Sequence, residues 1–240
     1  EEKKLSLDLK TIEEEFEGLM LKVPSVAADD VPVGKDESEN VEAYKVGEVR
    51  QFGFPVKDHV ALGKICDIID IERGVKLSGQ RNYFLKNEGA LLHLAVMQFA
   101  LHKIVGKNFQ PFIVPLMVNR EAMVGTGYFP GGEEQAYHIE KDGKYLIGTS
   151  EVPLAAYHYD EILPENELPK LYAGYSQCFR REAGTYGKDT HGLYRIHQFD
   201  KVEQVVICAN DYSESVKMHK FLLKNAEELL QDLKLPYRVV

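Results

Sequence analysis

The stretch that most restricts the fold of this chain is a pair of strand-like segments, LYAGYSQCFRRE and RIHQFDKVEQVVIC, separated by a glycine-rich loop. Strands joined this way form an antiparallel ladder, and side chains along each strand alternate between its two faces. The alternation puts Arg195, His197, Phe199, Lys201 and Glu203 on one face, with Arg180 and Glu182 sharing a face of the neighbouring strand. A hairpin signal at Lys141-Asp142-Gly143-Lys144 precedes a further arm on which Thr149 and Glu151 share a face. Burying such charges unpaired costs on the order of several kcal/mol each, so this is not a packing face. A solvated face with surface ion pairs would need no ligand. Against that stand the convergence of three strands and an aromatic ring, Phe199, that would be wasted in water.

The rest of the chain reads as helices around such strands. Leu5, Leu9, Ile12, Phe16 and Leu19 recur at heptad steps, which predicts a helix packed against another helix. Two prolines, Pro24 and Pro32, and a run of acids in residues 23–40 predict an extended linker. Residues 88–104 are apolar on nearly every side, which predicts a helix buried all round, by the core or by a partner subunit. Residues 109–118 predict one apolar strand whose pairing is limited by Pro111 and Pro115. SESVKMHKFLLKNAEELLQDLKL predicts an amphipathic helix, and PYRVV the start of another strand. Without repeated βαβ units or a phosphate-loop motif, the order predicts an α+β fold, an antiparallel sheet flanked by helices, and not a dinucleotide-binding fold.

Composition narrows the function classes. The net charge of -9 argues against generic coating of nucleic acid, though a local basic groove needs only a few placed Lys or Arg. The three cysteines are far apart and form no C-x-x-C pair, and the eight histidines show no H-x-x-x-H spacing, so no metal site is predicted. No apolar run reaches the roughly 18 residues of a membrane span, and the first residues lack a signal-peptide core. A soluble, cytoplasmic protein without membrane contact is expected.

Arginine binds phosphate or carboxylate oxygens as a bidentate fork, an aromatic ring stacks a nucleobase, and a carboxylate holds an ammonium or a hydroxyl. The charged face therefore suits a nucleotide beside an amino acid. No activated nucleophile is legible, so positioning and charge stabilisation would carry any catalysis.

The segment CFRREAGTYGKDTHGLYRIHQFDKVE resembles motif 2 of a class II aminoacyl-tRNA synthetase. With GTSEVPL, HVALG and the proline strand PFIVPLMV in the place of motif 1, the resemblance is specifically to the seryl-tRNA synthetase family, over almost the whole chain. It implies a class II synthetase catalytic fold in residues 46–240, a linker at 23–45, and the end of a helical tRNA-binding arm at 1–22. It also implies that the chain is incomplete, lacking motif 3, and inactive by itself.

The same resemblance implies residue roles. The serine site would comprise Thr149, Ser150, Glu151, Arg180 and Glu203, with Glu151 on the ammonium, Ser150 facing away and Glu203 accepting from the serine hydroxyl. Arg180 would bridge the serine carboxylate and the α-phosphate of ATP, with Arg181 beside it. Glu182 would meet the adenine amino group, Arg195 the phosphate end, and Phe199 the adenine face, while the backbone of Ile196, His197 and Gln198 would run along its edge. Residues 183–194 would form a mobile loop meeting the tRNA acceptor end, with Lys188 and His191 as contacts. The implied reaction is activation of L-serine by ATP with Mg2+, then transfer to tRNA(Ser), in a homodimer built through residues 88–118. An inactive synthetase relative serving as a dimeric binding or scaffold protein, an amino acid:carrier protein ligase, and a plain nucleotide-binding module are the alternatives.

Overall fold

The computed structural model describes residues 2–185, 187 and 191–240. Its centre is a three-stranded sheet in which β4 (Gln110–Ile113), β8 (Lys170–Phe179) and β9 (Gln198–Ile207) lie in the order β4-β8-β9. The β8–β9 pair is antiparallel over ten residues, from Lys170 opposite Ile207 to Phe179 opposite Gln198. The β4–β8 pair is parallel and adds one strand to the expected antiparallel pairing. A second sheet, β5 (Met117–Val118), β7 (Lys144–Leu146) and β6 (His138–Ile139), is antiparallel and contains the expected hairpin.

Three α-helices and three short strands precede residue 87 among the described residues. Helix α1 (Glu2–Met20) and β1 (Tyr44–Val46) flank the linker; α2 (His59–Ile65), β2 (Ile69–Asp70), α3 (Ile71–Ser78) and β3 (Phe84–Leu85) follow. Helices α2 and α3 begin at Asp58 and Asp70, whose carboxylates accept the Ala61 and Arg73 amides, as N-cap aspartates do. These bonds hold both carboxyls below their ordinary pKa. Strand β1 straddles the end of the expected linker at residue 45 and pairs with the last strand, β10 (Tyr237–Val239). The heptad helix α1 buries no residue, so its expected helix partner is not found among the described residues.

Two helices cover one face of the central sheet, α4 (Asn87–Val105) and α7 (Tyr212–Asp232). Ile104, Phe109 and Ala173 form a small core there, with Phe221 and Leu222 packed on it. A sheet can cover only one side of a helix. Leu91, Leu92 and Leu94 of α4 are accordingly 67%, 63% and 57% exposed, which corrects the expectation of a helix buried all round within the chain. The apolar run 109–118 is likewise two strands and not one. It breaks at Pro115, which has no amide to give a ladder, and the chain crosses there from the central sheet to the second.

The larger core lies on the other face, beneath α5 (Arg120–Gly125) and α6 (Glu151–Ala155). Met123, Phe129, Ile147, Val152 and Leu154 are all but completely buried in it. The Phe129 ring meets Tyr145 edge-on at 4.9 Å, and Arg120 lies over it at 5.0 Å. Helix α6 sits directly on β8 at Gly174: a Cβ there would lie 2.6 Å from the Ser150 hydroxyl and 2.8 Å from Leu154. Only glycine allows this approach.

Two measurements test this packing. Phe129→Ala removes a buried ring and should lower unfolding stability by about 3–5 kcal/mol in urea titrations. Gly174→Ala should cost about 1–3 kcal/mol by overpacking, and an unchanged midpoint would contradict the close seat of α6 on β8.

Candidate functional site

The charged residues gather where β8 and β9 end and the backbone leaves the ladder. On β9 itself only Phe199, Lys201 and Glu203 carry the expected face. Arg195 and His197 precede the strand, and Arg180 and Glu182 follow β8, so their strand parity does not hold. Glu182 adopts φ 53°, outside any extended conformation. Thr149 and Glu151 also lie off the hairpin arm: β7 ends at Leu146, Thr149 is in the following loop, and Glu151 opens α6. Sequence alternation placed these side chains together by the wrong local geometry.

The structure nevertheless brings most of them close. The Thr149 hydroxyl donates to Glu203 Oε2 at 2.5 Å, and Lys201 also pairs with that oxygen. Glu203 Oε1 makes no hydrogen bond among the described residues. Thr149 Oγ1 in turn accepts the Glu151 amide at 3.3 Å, while the Glu151 carboxylate is exposed. Ser150 is fully buried with its hydroxyl toward the Gly174 carbonyl, 3.4 Å away, so it turns into the protein and offers no side-chain contact to a ligand.

One residue before Thr149, the Gly148 carbonyl accepts Nε of Arg180 at 3.2 Å. The Arg180 guanidinium lies 5.2 Å from the centre of the Phe199 ring, within cation–π range, and has no carboxylate partner among the described residues. Beyond it opens a cleft of about 360 Å³ bordered by Tyr128, Gln135, Gly148, Arg180, Glu182 and Arg195. That is within the size range of small-molecule sites. Across the cleft Arg195 Nη1 donates to Glu182 Oε2 at 2.8 Å.

The remaining expected residues fall at the margins. Arg181 is exposed with its side chain toward Glu134, 3.9 Å away. The His197 backbone and ring both bond the Arg180 backbone at 2.9 Å, continuing the strand pairing past Phe179. Phe199 borders a separate hollow of about 210 Å³, together with Tyr83, His93, Gln177 and Asp200, and not the main cleft. His191 is exposed and meets Asp58 Oδ2 at 3.1 Å. Lys188 lies outside the described residues.

Sequence reasoning missed several side chains. Gln135 bonds the Ala183 carbonyl and amide through its amide group at 2.9 and 3.2 Å, and its own carbonyl accepts the Arg181 amide. Tyr128 walls the cleft within electrostatic range of Glu151, Arg180 and Glu203, and burial raises its phenol pKa. Burial also raises the thiol of Cys178, so both groups are neutral at pH 7. No motif singles out Gln135 or Tyr128, because each acts from a turn that only the tertiary fold brings to the cleft.

In sequence and overall fold the chain is similar to known proteins. Residues 137–240 match the tRNA synthetase class II core domain (G, H, P, S and T). Over 231 residues the chain is 48% identical to serine--tRNA ligase 1 of Streptomyces avermitilis, covering 95% of this chain and 54% of that protein. Seryl-tRNA synthetase from Pyrococcus horikoshii, solved with ATP, superposes with a TM-score of 0.92 at 39% identity, covering 98% of this chain and 57% of that one. The cytoplasmic serine-tRNA ligase of Naegleria fowleri, solved with AMP, does so with a TM-score of 0.91 at 32% identity, covering 98% and 56%. The chain thus spans about half the length of the relatives it matches. It carries the class II tRNA synthetase core domain, and over nearly its whole length its likeness is to the seryl-tRNA synthetases.

Proposed function

We propose that the protein to which this chain belongs is a serine–tRNA ligase, activating L-serine with ATP to seryl-adenylate and then acylating tRNA(Ser). The observation that carries the reading is Arg180, a cation without a carboxylate partner among the described residues, held one residue from the Thr149–Glu203 pair. An anionic group lying against Arg180 would be adjacent to a carboxylate suited to a small hydroxyl. Two solved relatives carry ATP and AMP, which supports a nucleotide as a ligand of the protein.

In the reaction a serine carboxylate oxygen attacks the α-phosphorus, its bond to phosphorus forms, and pyrophosphate leaves with the electron pair of the broken bond. Negative charge grows between the two substrates, and Arg180 would stabilise it there by a bidentate contact. A base stacking on Phe199 would compete with the guanidinium for the ring and turn it toward phosphate. Glu182, with Arg195 as its partner, would face the base and the phosphate end. Glu203 would accept from the serine hydroxyl and Glu151 would hold the ammonium. Rejection of alanine follows, because an unpaired carboxylate in the site costs more than a missing contact. Magnesium would offset the charge of the triphosphate. Among the described residues no three His, Cys, Asp or Glu side chains converge to hold it, so no step is assigned to it.

The same proposal assigns residues 1–22 to a tRNA-binding arm, 23–45 to a linker and 46–240 to the catalytic domain. It also assigns a homodimer, covering the exposed leucines of α4 and Ile113, which is 90% exposed. Cytoplasmic location belongs to the proposal too; no described helix is long and apolar enough to cross a membrane.

Pyrophosphate exchange into ATP, run with serine, threonine and alanine on the complete protein, tests the activity. Exchange with serine alone is expected, and its absence would favour an inactive relative. Arg180→Ala should lower serine-dependent exchange by roughly 10²–10³-fold, the range for a lost transition-state donor. Glu203→Ala should chiefly narrow the preference of serine over alanine, read as the ratio of the two kcat/KM values.

A further inference from the structure

The connection between β8 and β9 is held from outside itself, at both shoulders, by residues of the segment 58–81. On the first shoulder Arg81 reaches Thr185 with two nitrogens, Nη1 to the hydroxyl oxygen and Nη2 to the carbonyl, each at 2.9 Å. Thr185 passes the restraint back to Glu182, donating to its carbonyl at 2.6 Å. On the second shoulder the Leu193 amide donates to Nε2 of His59 at 2.9 Å, and the Tyr194 ring stands edge-on to the imidazole at 4.9 Å. Gly192, at φ 72°, presses so closely on His59 that a Cβ would collide with the ring. Asp58 caps α2 with one oxygen and meets His191 with the other, so the base on which His59 stands is itself fixed.

These grips end on the two sides of one ion pair. Glu182 sits three residues before Thr185, Arg195 two residues after Leu193, and the two are joined across the cleft at 2.8 Å. We propose that His59 and Arg81 are positioning residues, which hold the two shoulders of the β8–β9 connection so that Glu182 and Arg195 stand at the cleft before a nucleotide arrives. The inference rests on the cleft being the nucleotide site. Neither residue lies in the matched core domain, 137–240, and neither touches the cleft by its side chain in the way Glu182 and Arg195 do. Their effect is on order, not on chemistry.

Three substitutions in the complete protein separate this from general destabilisation. His59→Phe keeps a ring for Tyr194 and removes the acceptor; His59→Gln restores an acceptor near the position of Nε2; Arg81→Lys keeps charge but loses the fork. Hydrogen exchange of peptides spanning 182–195, measured without substrate, reads the shoulders directly. About tenfold faster exchange at the Leu193 amide is expected in His59→Phe and recovery in His59→Gln, the size of one lost hydrogen bond. Arg81→Lys should speed exchange around Thr185. In serine-dependent pyrophosphate exchange, His59→Phe and Arg81→Lys should raise KM for ATP several-fold with kcat little changed. Unaltered protection in His59→Phe would overturn the proposal. So would altered protection with unaltered KM in an active enzyme, or a fall in kcat and melting temperature that His59→Gln does not repair. Because the protection needs no substrate, it stands or falls apart from the assigned activity.

Discussion

The ten-residue antiparallel ladder of β8 and β9 is the constraint on which the rest depends. Its register sets which side chains face α6 and which face α4 and α7. With Gly174 opposite Glu203 and Cys178 opposite Phe199, the acidic end of the site and its aromatic ring share a face. A slip of one residue would turn Glu203 toward the helices and present Asp200 and Gln204 in its place. The glycine opposite Glu203 is what lets Ser150 and Leu154 come down on the sheet. Thr149, next in the chain, is thereby delivered to the carboxylate.

The two faces solve the same electrostatic problem in different ways. Behind the sheet, polar groups pair with one another away from the main cleft: His93 with Asp200 at 2.5 Å, and the fully buried Asn225 with Gln204 at 2.7 Å. Each pair offsets part of the cost of burial, although Asp200 Oδ1 and Asn225 Oδ1 stay buried without a hydrogen bond among the described residues. In front, Glu203 spends one oxygen on Thr149 and Lys201, and Arg180 keeps its charge without a carboxylate among the described residues. Incomplete pairing on a rigid strand end is how a protein leaves room for a ligand that completes it.

Much of this was legible in the sequence, for identifiable reasons. The ladder showed because its strands are long and separated by a glycine-rich loop. The hairpin at 138–146 showed because its turn residues are distinctive. The α4 leucines misled because composition records apolarity and not which neighbour is present. Residues 109–118 misled because a strand changing sheets at Pro115 looks, in one dimension, like a strand that continues. The parallel pairing of β4 with β8 has no local signature at all, since the order of strands is set by connections between them. Arg180, Thr149 and Glu203 were found as a set by family pattern, whereas Gln135 and Tyr128 required the fold.

The error in strand parity carries a physical lesson about the site. A residue inside the ladder has its direction fixed by the pleat, and its neighbours above and below are fixed with it. Arg180, Glu182 and Arg195 lie just past the ladder, where the backbone is free of that alternation but still tied to it by the Arg180–His197 bonds. That freedom lets Phe179 and Arg180, adjacent in the chain, both border the one cleft, as a strand would not. It also leaves the backbone there without a ladder to hold it, and the added constraints come from elsewhere: Gln135 on Ala183, Arg81 on Thr185, His59 on Leu193. A floor made by the sheet and walls made by tethered strand ends together allow charged groups to be both close and prealigned. Prealignment removes the cost of reorganising them when charge develops. A sheet alone would give the first property and a free loop neither.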